Sequence, residues 1–132
     1  MSVESIAAAL LNVKPITKLL KSPISDTILT QTAEYPGLVY EVISDVPVYT
    51  HNAKLGPTLK IARLQMTAAG TDLEVLRTIQ ETVRGQIDLA SGLYGGHRVI
   101  AVIRQLQGPK AFDASMGAWT WPVDYQFTYY ED

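Results

Sequence analysis

The 132-residue chain has no cysteine. That removes disulfides, thiolate zinc sites, iron–sulfur clusters and thiol nucleophiles together. It also fits folding in a reducing compartment. An excess of one charge is missing too. Eleven Lys and Arg stand against 13 Asp and Glu, a formal net charge of −2. Nucleic-acid binders concentrate Lys and Arg to neutralise phosphates. No such stripe runs along this chain, so sequence-specific nucleic-acid binding is not expected. Long apolar runs are absent. The longest, Ile6–Leu11, falls far short of the roughly 20 residues that cross a bilayer. Glu4, not a cationic lead, precedes it, which argues against a secretory signal. No membrane partner is expected.

Catalytic patterns are equally sparse. The two histidines, His51 and His97, have no second His or Cys at metal-ligand spacing, and both are expected on loop surfaces. Gly92, Gly95 and Gly96 do not spell a dinucleotide fingerprint, and no Walker loop or Gly-x-Ser-x-Gly elbow occurs. Ser91 and Ser115 lie in glycine-bearing loops without a base tied to them. Asp45, Asp113 and Asp124 serve as acid and base only if the fold brings two together. Asp124 is expected in solvent. The chain is therefore expected to be no enzyme and to hold no cofactor or metal.

What is present is one domain over residues 1–132, of α+β class: a mainly antiparallel sheet with two amphipathic helices packed on one face. Val3, Ile6, Leu10 and Val13 share a face at helical spacing, so Val3–Lys14 reads as a helix with Ser2 as N-cap. Pro15 stops or kinks it, with one further turn possible over Ile16, Leu19 and Leu20. Thr71–Glu74 has the spacing of a capping box, and Leu76, Ile79, Val83 and Ile87 then form the apolar stripe of a helix over Asp72–Leu89. Arg77, Gln80, Glu81 and Arg84 are assigned to its solvent side. Gly85 is a weak point there.

Strands are expected at Leu38–Ser44, Thr58–Thr67 and Arg98–Leu106, with a short one at Thr27–Thr30. Asp45–Pro57 reads as a long loop or the tip of an extended hairpin, Gly108–Ala118 as a second long loop, and Ser91–Gly96 as a tight turn. Arg98 and Arg104 are assigned to one face of their strand. The last segment alternates with period two: Trp119, Trp121, Val123, Tyr125, Phe127 and Tyr129 on one face, Thr120, Asp124, Gln126 and Thr128 on the other. Pro122 cannot donate to a ladder, which implies an edge strand or a bulge.

In element order, spacing and length the chain resembles the phage tail-completion (tail-terminator) proteins of long-tailed phages. The resemblance rests on the N-terminal helix, the Tyr35-Pro36 entry into Leu38–Ser44, the strand Leu59–Met66 before the helix Asp72–Leu89, and the closing Phe127-Thr128-Tyr129-Tyr130. It implies a structural virion protein without cofactor. Such proteins form a homo-oligomeric ring, commonly a hexamer, at the head-proximal end of the tail. The ring stops tube polymerisation and offers the head–tail joining surface, so the implied partners are other copies, the tail-tube protein and a head-closure or neck protein. Candidate docking or interface residues are Tyr49, His51, Asn52 and Lys54 in the first loop, Arg98 and Arg104 on their strand, and Lys110 and Phe112 in the second loop. The alternatives are another neck or tail-tube component on a related fold, or a small non-catalytic ligand-binding accessory domain.

Overall fold

The computed structural model describes residues 2–21, 24–26, 35–48, 58–115 and 117–131. Helices α1 (Ser2–Leu11) and α2 (Lys14–Thr17) come first, then strands β1 (Ser25–Asp26), β2 (Gly37–Val48) and β3 (Thr58–Gly70). Helix α3 (Leu73–Ile87) follows, then β4 (Gly92–Tyr94), β5 (His97–Gln107), β6 (Ala111–Asp113) and β7 (Ala118–Glu131). The strands form one seven-stranded sheet in the order β1-β2-β3-β7-β5-β4, with β6 pairing the start of β7. Every pairing is antiparallel except the short parallel contact of β1 with β2. The α+β class holds, and so does the placement of the helices on one face. Val3, Ile6 and Leu10 of α1 and Leu76, Ile79, Val83 and Ile87 of α3 share one core with Leu64, Met66, Tyr125, Phe127 and Tyr129.

Several boundaries differ from the sequence reading. Helix α1 ends at Leu11, and Pro15 falls in the first turn of the four-residue α2, where its missing N–H has no intrahelical partner to lose. Ser2 lies inside α1. Asp72, not Thr71, caps α3: its Oδ1 accepts from the backbone N–H of Glu74 at 3.0 Å. Of the two readings of Asp45–Pro57, the extended hairpin holds over the described residues: Asp45–Val48 continue β2 against Leu59–Ala62. Residues 49–57 and the strand expected at 27–30 lie outside the described residues. The second loop contains β6.

The largest correction concerns β7. It is no edge strand: it pairs with β3 along its whole length and with β5 and β6 on its other side. Pro122 is tolerated because of where it sits. Its carbonyl accepts from Gly108 N–H at 2.9 Å, just past the last rung with β5 (Val123 with Gln107) and before the first with β6 (Thr120 with Ala111). A residue's N and O point the same way in an antiparallel ladder. The proline nitrogen therefore faces the gap where the chain leaves the sheet.

Gly85 sits mid-helix, and a Cβ built there meets nothing within 4 Å. Gly85→Ala should stabilise the protein by about 0.5–1 kcal/mol, read as a higher denaturant midpoint at unchanged slope.

Candidate functional site

Two β-bulges decide where the candidate side chains of β5 go. Val99 pairs with core-facing Tyr129, and Arg104 with core-facing Tyr125, yet the ladder slips between Val99 and Ala101. A slip of one residue reverses the faces beyond it. Arg98, adjacent to Val99, consequently points away from the helices beside exposed Leu93. Arg104 points toward them. The two arginines occupy opposite faces and form no pair, which corrects the expectation.

Arg104 reaches the ground between β5 and the C-terminal half of α3. Its backbone N–H donates to Asp88 Oδ1 at 3.1 Å, and Asp88 also faces Arg84 Nε at 3.8 Å. Lys110 folds back over the Trp121 ring, 4.1 Å from its centroid. Arg77 and Arg84 of α3 line the same cleft as Arg104 and Lys110, with one carboxylate, Glu81. The floor is made by Gln80, Trp121 and Tyr125, and the cavity measures about 370 Å³. The structure thus brings together two sequence candidates, Arg104 and Lys110, with four α3 residues whose polarity alone places them in solvent.

Gln80 is the most misjudged of these. It is buried, and its Nε2 donates to two strand carbonyls, Met66 O at 3.1 Å and Trp121 O at 2.7 Å. It pins α3 to β3 and β7 at once. Its Oε1 is left buried without a partner, as are Trp121 Nε1 and Tyr125 OH.

The other candidates stand apart. Phe112 is exposed on β6 and meets Trp119 edge-on at 5.4 Å. Tyr49, His51, Asn52 and Lys54 lie outside the described residues. His97 is no loop-surface residue: it opens β5, packs edge-on against Tyr129 at 6.3 Å and buries its Nδ1.

The carboxylates are not assembled for acid–base work. Asp124 is buried rather than solvated, and accepts from Arg63 Nε at 3.0 Å and from Arg63 Nη2 on the sheet face away from the helices. Asp45 lies on the opposite face, where it accepts from Tyr129 OH at 2.9 Å and pairs with Lys60 at 3.2 Å. Asp113 closes a turn by accepting from Ser115 N–H and Oγ–H. Each is committed to a structural partner and no two share a site. Among the described residues, no group of three His, Asp or Glu is placed to hold a metal ion.

Two groups titrate late. Burial, aided by the field of Asp88 and opposed by Arg104 and Arg84, pushes the Tyr125 phenol from 10.0 up to about 12. Burial alone depresses Lys60, but its hydrogen bonds and attraction to Asp45 and Glu131 outweigh that and hold it above 10.5. Both groups keep their protons in the folded state at pH values where the unfolded chain has released them, so stability falls as pH rises through this range. Urea midpoints should be level up to about pH 9.5 and drop from about pH 10 to 12. Tyr125→Phe should flatten part of that drop.

No protein-family model matches the chain, and no curated protein matches it in sequence. In fold it is similar to a chain of the virion of native gene transfer agent (GTA) particle. The two align with a TM-score of 0.67 over 97% of this chain and 93% of the other, at 5% sequence identity. At that identity the likeness is one of fold.

Proposed function

We propose that this chain is a structural component of a phage-like virion, and that it acts as the tail-terminator ring at the head-proximal end of the tail. In this role it stops tube polymerisation and presents the surface that joins tail to head. The observation that carries the reading is the end-to-end fold likeness to a chain of a virion particle, which covers nearly all of both chains.

An exposed apolar sheet face, which the described helices leave uncovered, supports it. Ile43, Val46, Ile100 and Ile103 are all more than 40% exposed on the side the helices leave bare. A ring needs two different surfaces on each subunit, one for each neighbour. A bare sheet face and the cleft beside α3 are two such surfaces.

The test is assembly. Light scattering at several concentrations and negative-stain microscopy should show a closed ring, a hexamer on this reading, and the ring should bind purified tail tubes. A protein that stays monomeric at all concentrations and also ignores tail tubes overturns the proposal. The docking role of the first loop is tested by deleting residues 49–54. Val48 is kept, because it is the last rung of β2 against Leu59. The variant should fold and lose tube binding.

A further inference from the structure

The cleft between α3 and β5 is electrostatically unlike the rest of the molecule. The chain is acidic overall, at −2, yet four of its 11 cationic side chains line this one cavity: Arg77, Arg84, Arg104 and Lys110. Among the described residues, Glu81 is the sole lining carboxylate. Arg77 and Arg84 have acidic neighbours on their own helix, Glu74 at 3.9 Å and Asp88 at 3.8 Å. Among the described residues, the Arg104 and Lys110 side chains have no carboxylate partner. Four cations around one concavity repel one another, and a bound anion removes that repulsion.

A second observation points to the same place. Buried polar atoms without a partner are rare in folded proteins, and each calls for an explanation. Four such side-chain atoms occur among the described residues, and three belong to the floor of this cleft: Gln80 Oε1, Trp121 Nε1 and Tyr125 OH. Trp121 Nε1 is a donor only. The Tyr125 hydroxyl remains protonated, because burial pushes its pKa up to about 12. Gln80 Oε1 is an acceptor only.

We propose that the cleft binds an acidic segment of a partner polypeptide. Carboxylates of the segment meet the guanidinium forks of Arg104, Arg84 and Arg77, a planar match that arginine makes in bidentate fashion. The indole donates to the same carboxylates or to backbone carbonyls once Lys110 has moved off its ring. Gln80 Oε1 accepts a backbone N–H. That last requirement separates a peptide from a nucleic-acid backbone or inorganic phosphate at neutral pH, whose oxygens chiefly accept. The cavity, at about 370 Å³, holds a few side chains rather than a folded domain. Lys110 is the gate: it lies over the Trp121 ring, and its flexible stem turns outward to admit the segment. This reading does not depend on the ring. A monomer with such a cleft would bind the same chemistry.

The test uses the full chain and a fluorescein-labelled hexaglutamate peptide, followed by anisotropy. Hexalysine, a short single-stranded DNA and inorganic phosphate serve as comparison probes. Hexaglutamate should bind, weaken with added salt, and shift the indole N–H resonance of Trp121 but not that of Trp119. Arg104→Glu and Lys110→Glu should each weaken binding by about tenfold or more, and Glu81→Gln should strengthen it. Arg98→Glu, on the far face of the sheet, should change nothing. If a charge-reversal variant fails to fold, the Trp121 shift in the unaltered protein still decides. Absence of binding overturns the proposal, as does equal loss in Arg98→Glu or a Trp121 resonance that stays still. Tighter binding of DNA or of phosphate overturns it in favour of a phosphate site.

Discussion

Gln80→Leu should lower stability by about 2–4 kcal/mol, although it replaces a polar helix residue with an apolar one of similar size. A helix-surface glutamine would lose almost nothing in that exchange. Gln80 differs because its amide is buried and serves two carbonyls on adjacent strands, Met66 O and Trp121 O. Removing the donor leaves the two carbonyl oxygens facing a methyl group. Gln80→Glu separates this mechanism from simple packing. Its carboxylate keeps the shape but aims oxygen at oxygen, so its folded pKa rises above the ordinary value of about 4.3. Stability of that variant should be best at low pH and fall as pH rises through the raised pKa. Urea unfolding of the two variants across pH checks this. A Gln80→Leu protein as stable as the original would show that the amide is dispensable.

Gln80 also shows what the sequence displays and what it hides. It stands four residues after Leu76 and three before Val83, inside the stripe that buries α3. Its spacing marked it as core, and its polarity masked it. The aromatic alternation of β7 was legible because period two reports directly which face is buried. It does not report neighbours. Pro122 therefore points to an edge or a bulge, and the central position becomes visible only once β3 and β5 are placed on either side; the β5–β7 ladder does slip near it, between Arg104 and Leu106. One misplacement led to another. Asp124 looks solvated on an edge strand, whereas in a central strand it is enclosed by its neighbours and needs Arg63.

The cleft was illegible for a different reason. Arg104 reaches it only because β5 slips against β7 near Ile100, and a bulge is a property of the pairing that no residue type in this strand announces. The stretch His97–Leu106 carries no glycine or proline to mark it. The arginines of α3 were visible as a polar face, but what they face depends on a strand that follows the helix in sequence. Charge was legible; its convergence was not.

Gly95→Ala should be the most damaging glycine-to-alanine change among the described residues, lowering stability by roughly 2–5 kcal/mol. Ser91–Gly96 is not a turn throughout: Gly92–Tyr94 form β4, and Gly95-Gly96 alone make the β4–β5 turn. Gly95 and Gly96 both adopt positive φ, 58° and 81°. The left-handed conformation alone costs an alanine about 1–2 kcal/mol at either position. The two differ in surroundings. A Cβ at Gly96 meets nothing within 4 Å, whereas one at Gly95 falls 2.5 Å from the backbone carbon of Ser5 and 2.8 Å from the nitrogen of Ile6. Those atoms belong to α1 and cannot rotate away as a side-chain tip does. The helix must lift from the turn, and Val3, Ile6 and Leu10 come partly out of the core with it. Gly96→Ala is thus the internal control: same turn, same strain, no collision. Thermal unfolding of the pair should show a small loss for Gly96→Ala and a large one for Gly95→Ala, with amide exchange accelerated in α1 only for the latter. Equal losses would mean that backbone strain alone matters and that α1 is not held down at this turn.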